Sequence, residues 1–152
     1  MKNLKKVLSV SLILISFLFV LAGCDTHSNL EYTYNVSTGD KIKLTLDTKK
    51  GYSMTSEVPV KIKKDDNVMA VASFFEDSAY DNTVNSARYL SNVDIIDEGS
   101  KDNIDYLFYN YNDQEYTYVI KIKDSKTCVI LTSEDSQDDV EECFDRLTFS
   151  KE

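Results

Sequence analysis

The chain has 152 residues, enough for one ordinary domain with a short appendage. Its 42% content of hydrophobic residues excludes a disordered chain. The 26 acidic residues outnumber the 17 basic ones, which argues against nucleic acid as a partner.

Residues 1–23 are predicted to form a signal peptide. Three lysines precede an uncharged apolar run from Val7 to Val20. This run is shorter than the ~20 residues that span a bilayer, and it matches the apolar core of a secretory leader. The segment Leu21–Cys24, which reads Leu-Ala-Gly-Cys, follows directly and resembles the lipobox of bacterial lipoproteins. The alternative is a short signal anchor that contains this Cys by chance.

The lipobox resemblance implies a lipid anchor. Diacylglycerol would be joined to the Cys24 thiol, and cleavage before Cys24 would make it the first residue of the mature protein. Two acyl chains bury on the order of thirty CH₂ groups at ~0.8 kcal/mol each, so membrane lipid would be a permanent partner. Few Gly and Pro with many Lys, Asn and Asp suggest a Gram-positive source with low GC content, which places the protein on the outer face of the cytoplasmic membrane.

Residues 24–29 are predicted to be the lipidated Cys and a tether, and residues 30–152 a single domain. The tether reaches at most ~20 Å, so the domain must lie close to the lipid. Residues 41–64 are rich in lysine, whereas residues 65–152 are strongly acidic. The sequence therefore suggests a membrane-facing basic edge, formed by Lys41, Lys43, Lys61 and Lys63. The alternative is an ordinary solvated surface.

The first strands follow from alternation of apolar and polar residues. Leu30–Val36 and Lys41–Asp47 alternate strictly and predict a hairpin with one buried face. A strand is predicted to begin at Tyr52 and to continue through Pro59 to Lys63. Because proline cannot donate to a ladder, this stretch is expected to be an edge or to start a strand. Val68–Phe75 is apolar on both faces and predicts a central strand.

Helical spacing follows at residues 78–91, where Asp77-Ser78 with Asp81 resembles a capping box. Ser136 with Asp139 is predicted to cap a last helix that has one apolar stripe. Four strands are predicted between the helices, at Val93–Asp97, Ile104–Tyr111, Glu115–Lys123 and Thr127–Ser133. The order ββββ-α-ββββ-α predicts an α+β fold, an antiparallel sheet of about eight strands covered by two helices.

From Gly51 to the end, this order resembles the PsbP-like fold of small lipoproteins. The resemblance rests on the pair Gly51-Tyr52, on a helix before a long antiparallel meander, and on the C-terminal segment Phe144–Ser150. It implies a docking or scaffolding module and brings no catalytic residue with it.

Most enzyme signatures are absent from the sequence. The only histidine, His27, lies in the tether, so no Ser-His or Cys-His pair is expected in the folded domain. No C-x-x-C motif or phosphate-binding glycine loop is present. Carboxylates crowd the last helix, where the alternatives are a weak calcium site and a solvated face that complements the helix dipole. We therefore predict no catalytic residue, metal or cofactor.

Cys128 in the last predicted strand and Cys143 on the last helix are both expected to face inward. An exported protein can form a disulfide between them. Two buried free thiols are the alternative.

Aromatic residues concentrate on the predicted meander. An exposed row there could stack on sugars, a peptide or a protein partner. The alternative is cross-strand aromatic pairing, at ~0.2–1 kcal/mol per pair. The candidate binding surface consists of Tyr106, Phe108, Tyr109, Tyr111, Tyr116 and Tyr118.

The sequence thus favours a lipid-anchored, non-catalytic module that binds a protein or cell-wall component. The first alternative is a lipoprotein that binds a small ligand or protects against a toxin. A closed apolar pocket lined by tyrosine would favour that alternative, whereas an open aromatic face would favour the binding module. A hydrolase that depends on carboxylates is the second alternative.

Overall fold

The computed structural model describes residues 28–152, so the predicted signal peptide and Cys24 lie outside the described residues. The described chain forms ten strands and two α-helices. The strands are β1 (Asn29–Asn35), β2 (Lys41–Asp47), β3 (Tyr52–Met54), β4 (Val60–Lys64), β5 (Asn67–Glu76), β6 (Val93–Lys101), β7 (Ile104–Tyr111), β8 (Glu115–Ile122), β9 (Thr127–Ser133) and β10 (Leu147–Lys151). The helices are α1 (Tyr80–Tyr89) and α2 (Gln137–Arg146).

The strands form two antiparallel sheets. One has three strands in the order β1-β2-β10, and the other has seven in the order β3-β4-β5-β9-β8-β7-β6. The predicted α+β antiparallel fold is therefore confirmed. The predicted hairpin is also present, because Tyr34 pairs with Ile42 and the apolar residues of both strands share one face.

Both sheets turn their apolar faces toward one core. From the three-stranded sheet come Ile42, Leu44 and Leu46, and from the other come residues such as Ile120 and Leu131. We call this the inner face of each sheet, and the opposite one the outer face. Helix α2 packs on the inner face of the seven-stranded sheet, whereas α1 crosses its outer face against β6 and β8.

The predicted number of strands, about eight, is too low. The segment predicted as one strand from Tyr52 to Lys63 is two strands, because the chain bends over residues 56–59 between them. Pro59 lies directly before β4, which is paired on both sides, so the proline marks a strand start and not an edge. Leu147–Lys151, which follows the last helix, is a strand that pairs with β2 and buries Leu147 and Phe149. The alternation of apolar and polar residues in this segment explains the pairing.

The two helix starts differ from one another. At α2 the predicted cap is confirmed, because the Ser136 hydroxyl accepts a hydrogen bond from the Asp139 N–H at 3.2 Å. At α1 the predicted capping box is wrong. A short 3₁₀ turn, Asp77–Ala79, precedes the helix, and no side chain caps it. Asp77 is engaged by Lys121 of β8 instead.

Candidate functional site

The six predicted aromatic residues do not form one surface. Side chains alternate along a strand, so Phe108 and Tyr118 point to the inner face, where they are 1% and 5% exposed. Their rings stack at 4.0 Å, and the ring of Tyr118 also stacks on Phe144 of α2 at 4.0 Å. The prediction that these two residues belong to an exposed binding surface is therefore wrong. The alternative of cross-strand pairing is confirmed for them, since they are register partners.

Tyr106 and Tyr116 lie on the same inner face and are half-buried against the core. The Tyr106 hydroxyl donates to Asp97 at 2.8 Å, and its ring meets Phe144 edge-on. Tyr106 and Tyr116 therefore lie at the border of the aromatic core.

Tyr109 and Tyr111 point to the opposite, outer face and line an open groove between α1 and the strands β6, β7 and β8. The groove has a volume of about 460 Å³. We call it the α1 groove. Its lining is made of Ala79, Asn82, Thr83, Ser86, Ala87, Leu90, Val93, Tyr109, Tyr111 and Glu115.

The α1 groove exists because the helix presents small side chains to the sheet. Ala79, Thr83, Ser86 and Ala87 recur at helical spacing on the side that faces β6 to β8. Only Ala87 of the helix is buried. Short side chains cannot fill the space above the two tyrosines, so the helix and the sheet leave a cleft between them.

Apolar surface is exposed at the mouth of the groove. Leu90 is 51% exposed and Tyr111 is 39% exposed, and the neighbouring Tyr89 is 88% exposed. Large apolar side chains that group at a cleft mark interaction sites more often than scattered ones do. A tyrosine or leucine anchor of this kind can bury a large area when a partner covers it.

The lining of the groove carries one charged side chain, the carboxylate of Glu115. The nearby Arg88 is engaged by Glu98 in an ion pair. Burial raises the pKa of the Tyr109 phenol, and the charge of Glu115 raises it further. Tyr109 is therefore a neutral hydrogen-bond donor at physiological pH.

A polar cluster at the turn before α1 joins Asp77, Lys121 and Cys128. The Lys121 ammonium lies 2.8 Å from Asp77, and the Cys128 thiol donates to the same carboxylate at 3.8 Å. Burial raises the pKa of Cys128 to about 12, and the hydrogen bond to Asp77 raises the pKa of Lys121. Neither group is a nucleophile at neutral pH, because thiol and amine both remain protonated. The cluster therefore joins the 3₁₀ turn before α1 to β8 and β9.

Cys128 and Cys143 are both buried and free. Cys143 belongs to the core on the inner face, whereas Cys128 alternates with the core residue Val129 and points to the outer face. The sheet separates the two thiols. Of the two predicted states, the structure has buried thiols.

The four lysines of the predicted membrane-facing edge lie on two different surfaces. Lys41 and Lys43 are on the outer face of β2, and Lys61 and Lys63 are on the outer face of β4. The inner faces of the two sheets enclose the same core, so these outer faces point away from each other. A single basic edge made of these four residues is therefore wrong.

Among residues 28–152, no three His, Cys, Asp or Glu side chains come close enough together to hold a metal ion. On the acidic α2, Glu142 is bound by Arg146 at 3.0 Å and by Lys64 at 3.3 Å. Within the same residues, neither helix has the length and apolar content that a bilayer crossing requires. The predicted lipidation at Cys24 falls outside the described residues.

The sequence predicts a helix over residues 78–91 but not the groove beside it. The available signal was the series of small residues at positions where a core-facing helix normally carries Leu or Ile.

In comparisons with known proteins, no family model and no curated protein sequence matched this chain.

Proposed function

We propose that the protein is a lipid-anchored extracytoplasmic module that binds a protein partner in the α1 groove without catalysing a reaction. The observation that carries the proposal is the open cleft in which Tyr109 and Tyr111 face a helix of small side chains. Leader and lipobox supply the proposed location, and the resemblance to the PsbP-like fold is in keeping with a docking role.

The shape of the groove favours a macromolecular partner over an enclosed small ligand. Phe108, Tyr118 and Phe144 form a continuous ring stack on the inner face. The tyrosines of the groove lie instead at an open surface. A partner that inserts apolar side chains can cover the exposed Leu90 and Tyr111 at the same time.

The charge of the groove favours a basic partner segment. The carboxylate of Glu115 lines the groove, while the nearby Arg88 is already paired. Electrostatic complementarity of this kind steers association and excludes acidic partners. We therefore expect a protein segment in which one or two apolar anchors are flanked by Lys or Arg.

Site-specific photo-crosslinking on intact cells tests this function. A photoreactive residue at Ser86 faces the groove, and the same residue at Thr148, exposed on the outer face of β10, is the matched control. We expect a discrete protein adduct from position 86 that position 148 does not give, and we expect Leu90→Asp to reduce it several-fold. The crosslinked segment should contain apolar residues beside basic ones.

Two results would contradict the proposal: no discrete adduct from position 86, or the same adducts from both positions. A small molecule that copurifies with the membrane-extracted protein, and is lost in the Tyr109→Ala, Tyr111→Ala variant, would favour the ligand-binding alternative. Native mass spectrometry of the extracted protein makes that distinction.

A further inference from the structure

The chain enters the described domain beside Lys49 and Lys50. The Ser28 carbonyl accepts a hydrogen bond from the Thr48 N–H at 3.0 Å, and Asn29 pairs with Asp47. Because β1 and β2 are antiparallel, this is the end of the hairpin at which β2 continues into the two lysines. The connection toward Cys24 is therefore fixed next to them.

Strands β3 and β4 bring two more lysines to the same corner. Ser53 pairs with Lys63 and Tyr52 with Lys64, and the Asp65 N–H donates to the Gly51 carbonyl at 3.2 Å. We define the tether corner as the charged residues of this region: Asp47, Lys49, Lys50, Lys63, Lys64, Asp65, Asp66, Glu142 and Arg146.

Three lysines of the tether corner are available to an external anion. Lys64 and Arg146 are engaged by Glu142. Within the part of the chain that the structure describes, no carboxylate forms an ion pair with Lys49, Lys50 or Lys63.

The tether corner differs in charge from the rest of the domain. It holds five basic and four acidic residues, whereas the remainder of residues 28–152 holds nine basic and 21 acidic ones. An anionic surface repels the acidic remainder and attracts the corner, so the whole molecule has a preferred orientation near such a surface.

The reach of the chain brings this corner to the lipid. Four residue steps separate Cys24 from Ser28, which is at most ~14 Å of extended chain. The Debye length at physiological ionic strength is about 8 Å, so charges held this close to the headgroups are only partly screened.

We propose that the tether corner rests on an anionic membrane surface, with Lys49, Lys50 and Lys63 toward the lipid phosphates. This inference rests on the proposed anchoring at Cys24. The tether corner replaces the membrane-facing basic edge predicted from the sequence. Lys41, a member of that edge, pairs with Asn35 at the end of the β1–β2 hairpin opposite to the tether. The α1 groove stays accessible, since β7 lies five strands from β3, at a spacing of about 4.8 Å per strand.

Lysine labelling on vesicles tests the orientation. The full-length lipidated protein is reconstituted in equimolar phosphatidylglycerol and phosphatidylcholine, or in phosphatidylcholine alone, and is treated briefly with an amine-acylating reagent. Peptide mass spectrometry then gives the labelling rate of each lysine. We expect Lys49 and Lys50 to react several-fold more slowly on the anionic vesicles. The exposed Lys41 and Lys126, at the opposite end of the β1–β2 hairpin, should react equally on both. The protection should disappear at about 1 M salt, where the Debye length is about 3 Å.

A matched pair of variants removes the same charge from different places. Lys49→Gln with Lys50→Gln should abolish the protection of Lys63, and Lys41→Gln with Lys126→Gln should leave it unchanged. Equal labelling of all these lysines on a protein that carries the acyl group at Cys24 would overturn the orientation and leave the anchoring intact. A Cys24 peptide without an acyl group would overturn both.

Discussion

Asp40 joins two turns that are distant in the sequence. Its carboxylate accepts hydrogen bonds from the Lys126 N–H at 2.7 Å and from the Ser125 hydroxyl at 2.8 Å. These two bonds, the Lys126 one foremost, lower the pKa of Asp40. The charged carboxylate thereby fixes the β1–β2 turn of the small sheet to the β8–β9 turn of the large sheet.

Replacement of Asp40 by Asn should lower the free energy of unfolding at neutral pH. A carboxyl whose pKa is lowered in the folded state contributes stability above its unfolded pKa and loses it as the pH falls through its folded pKa. The difference between the wild type and Asp40→Asn should therefore shrink below about pH 4. Urea unfolding at neutral and acidic pH measures it, with the exposed Asp113→Asn as control. A difference that is independent of pH would contradict this role.

The thiols offer a second prediction at the level of single residues. Cys128 and Cys143 are buried on opposite faces of the sheet, and burial raises the pKa of each to about 12. Both should resist a thiol reagent in the folded protein and react fully after unfolding without reductant. Mass spectrometry of the two labelled peptides checks this. Unlabelled peptides from the unfolded protein would indicate a disulfide.

At the level of elements, the aromatic stack joins β7, β8 and α2. Truncation of Phe108 to Ala removes the ring that stacks on Tyr118 and leaves a cavity in the core. We expect a loss of about 3–5 kcal/mol in the free energy of unfolding, measured by urea denaturation. Tyr89→Ala, at an 88% exposed position of α1, should change stability by less than about 0.5 kcal/mol. Equal effects of the two substitutions would contradict the assignment of the core.

The cap of α2 is also testable. The Ser136 hydroxyl accepts the Asp139 N–H, which otherwise has no partner in the helix. Ser136→Ala should cost about 1 kcal/mol in the free energy of unfolding. Ser136→Asp should keep most of the stability, because a carboxylate accepts the same bond. Equal losses in both variants would indicate that the cap contributes nothing.

The local sequence pattern predicts the elements that are determined by interactions between residues close in the chain. The alternation in Leu30–Val36 specifies the hairpin, and Ser136 specifies the start of α2. Packing between distant elements decided the rest. The residues near Tyr109 and Tyr118 in the sequence do not indicate that α1 packs loosely on the outer face of the sheet. Nor do they indicate that α2 packs tightly on the inner face. For the same reason, the sequence did not separate the lysines of β2 from those of β4.

The whole molecule carries two surfaces for which we propose different roles. The tether corner lies at the β3 edge of the large sheet, and the α1 groove lies toward the β6 edge. A domain held by the first surface can present the second to a partner. The proposed roles of the tether corner and the α1 groove both depend on the anchoring of the protein through Cys24.

Mass spectrometry of the mature N-terminal peptide tests that claim most directly. We predict that the protein isolated from its native membrane begins at Cys24 and carries a diacylglyceryl group on the sulfur. A Cys24→Ser variant should retain its leader or leave the membrane fraction. An intact leader with an unmodified Cys24 in the wild-type protein would contradict the account.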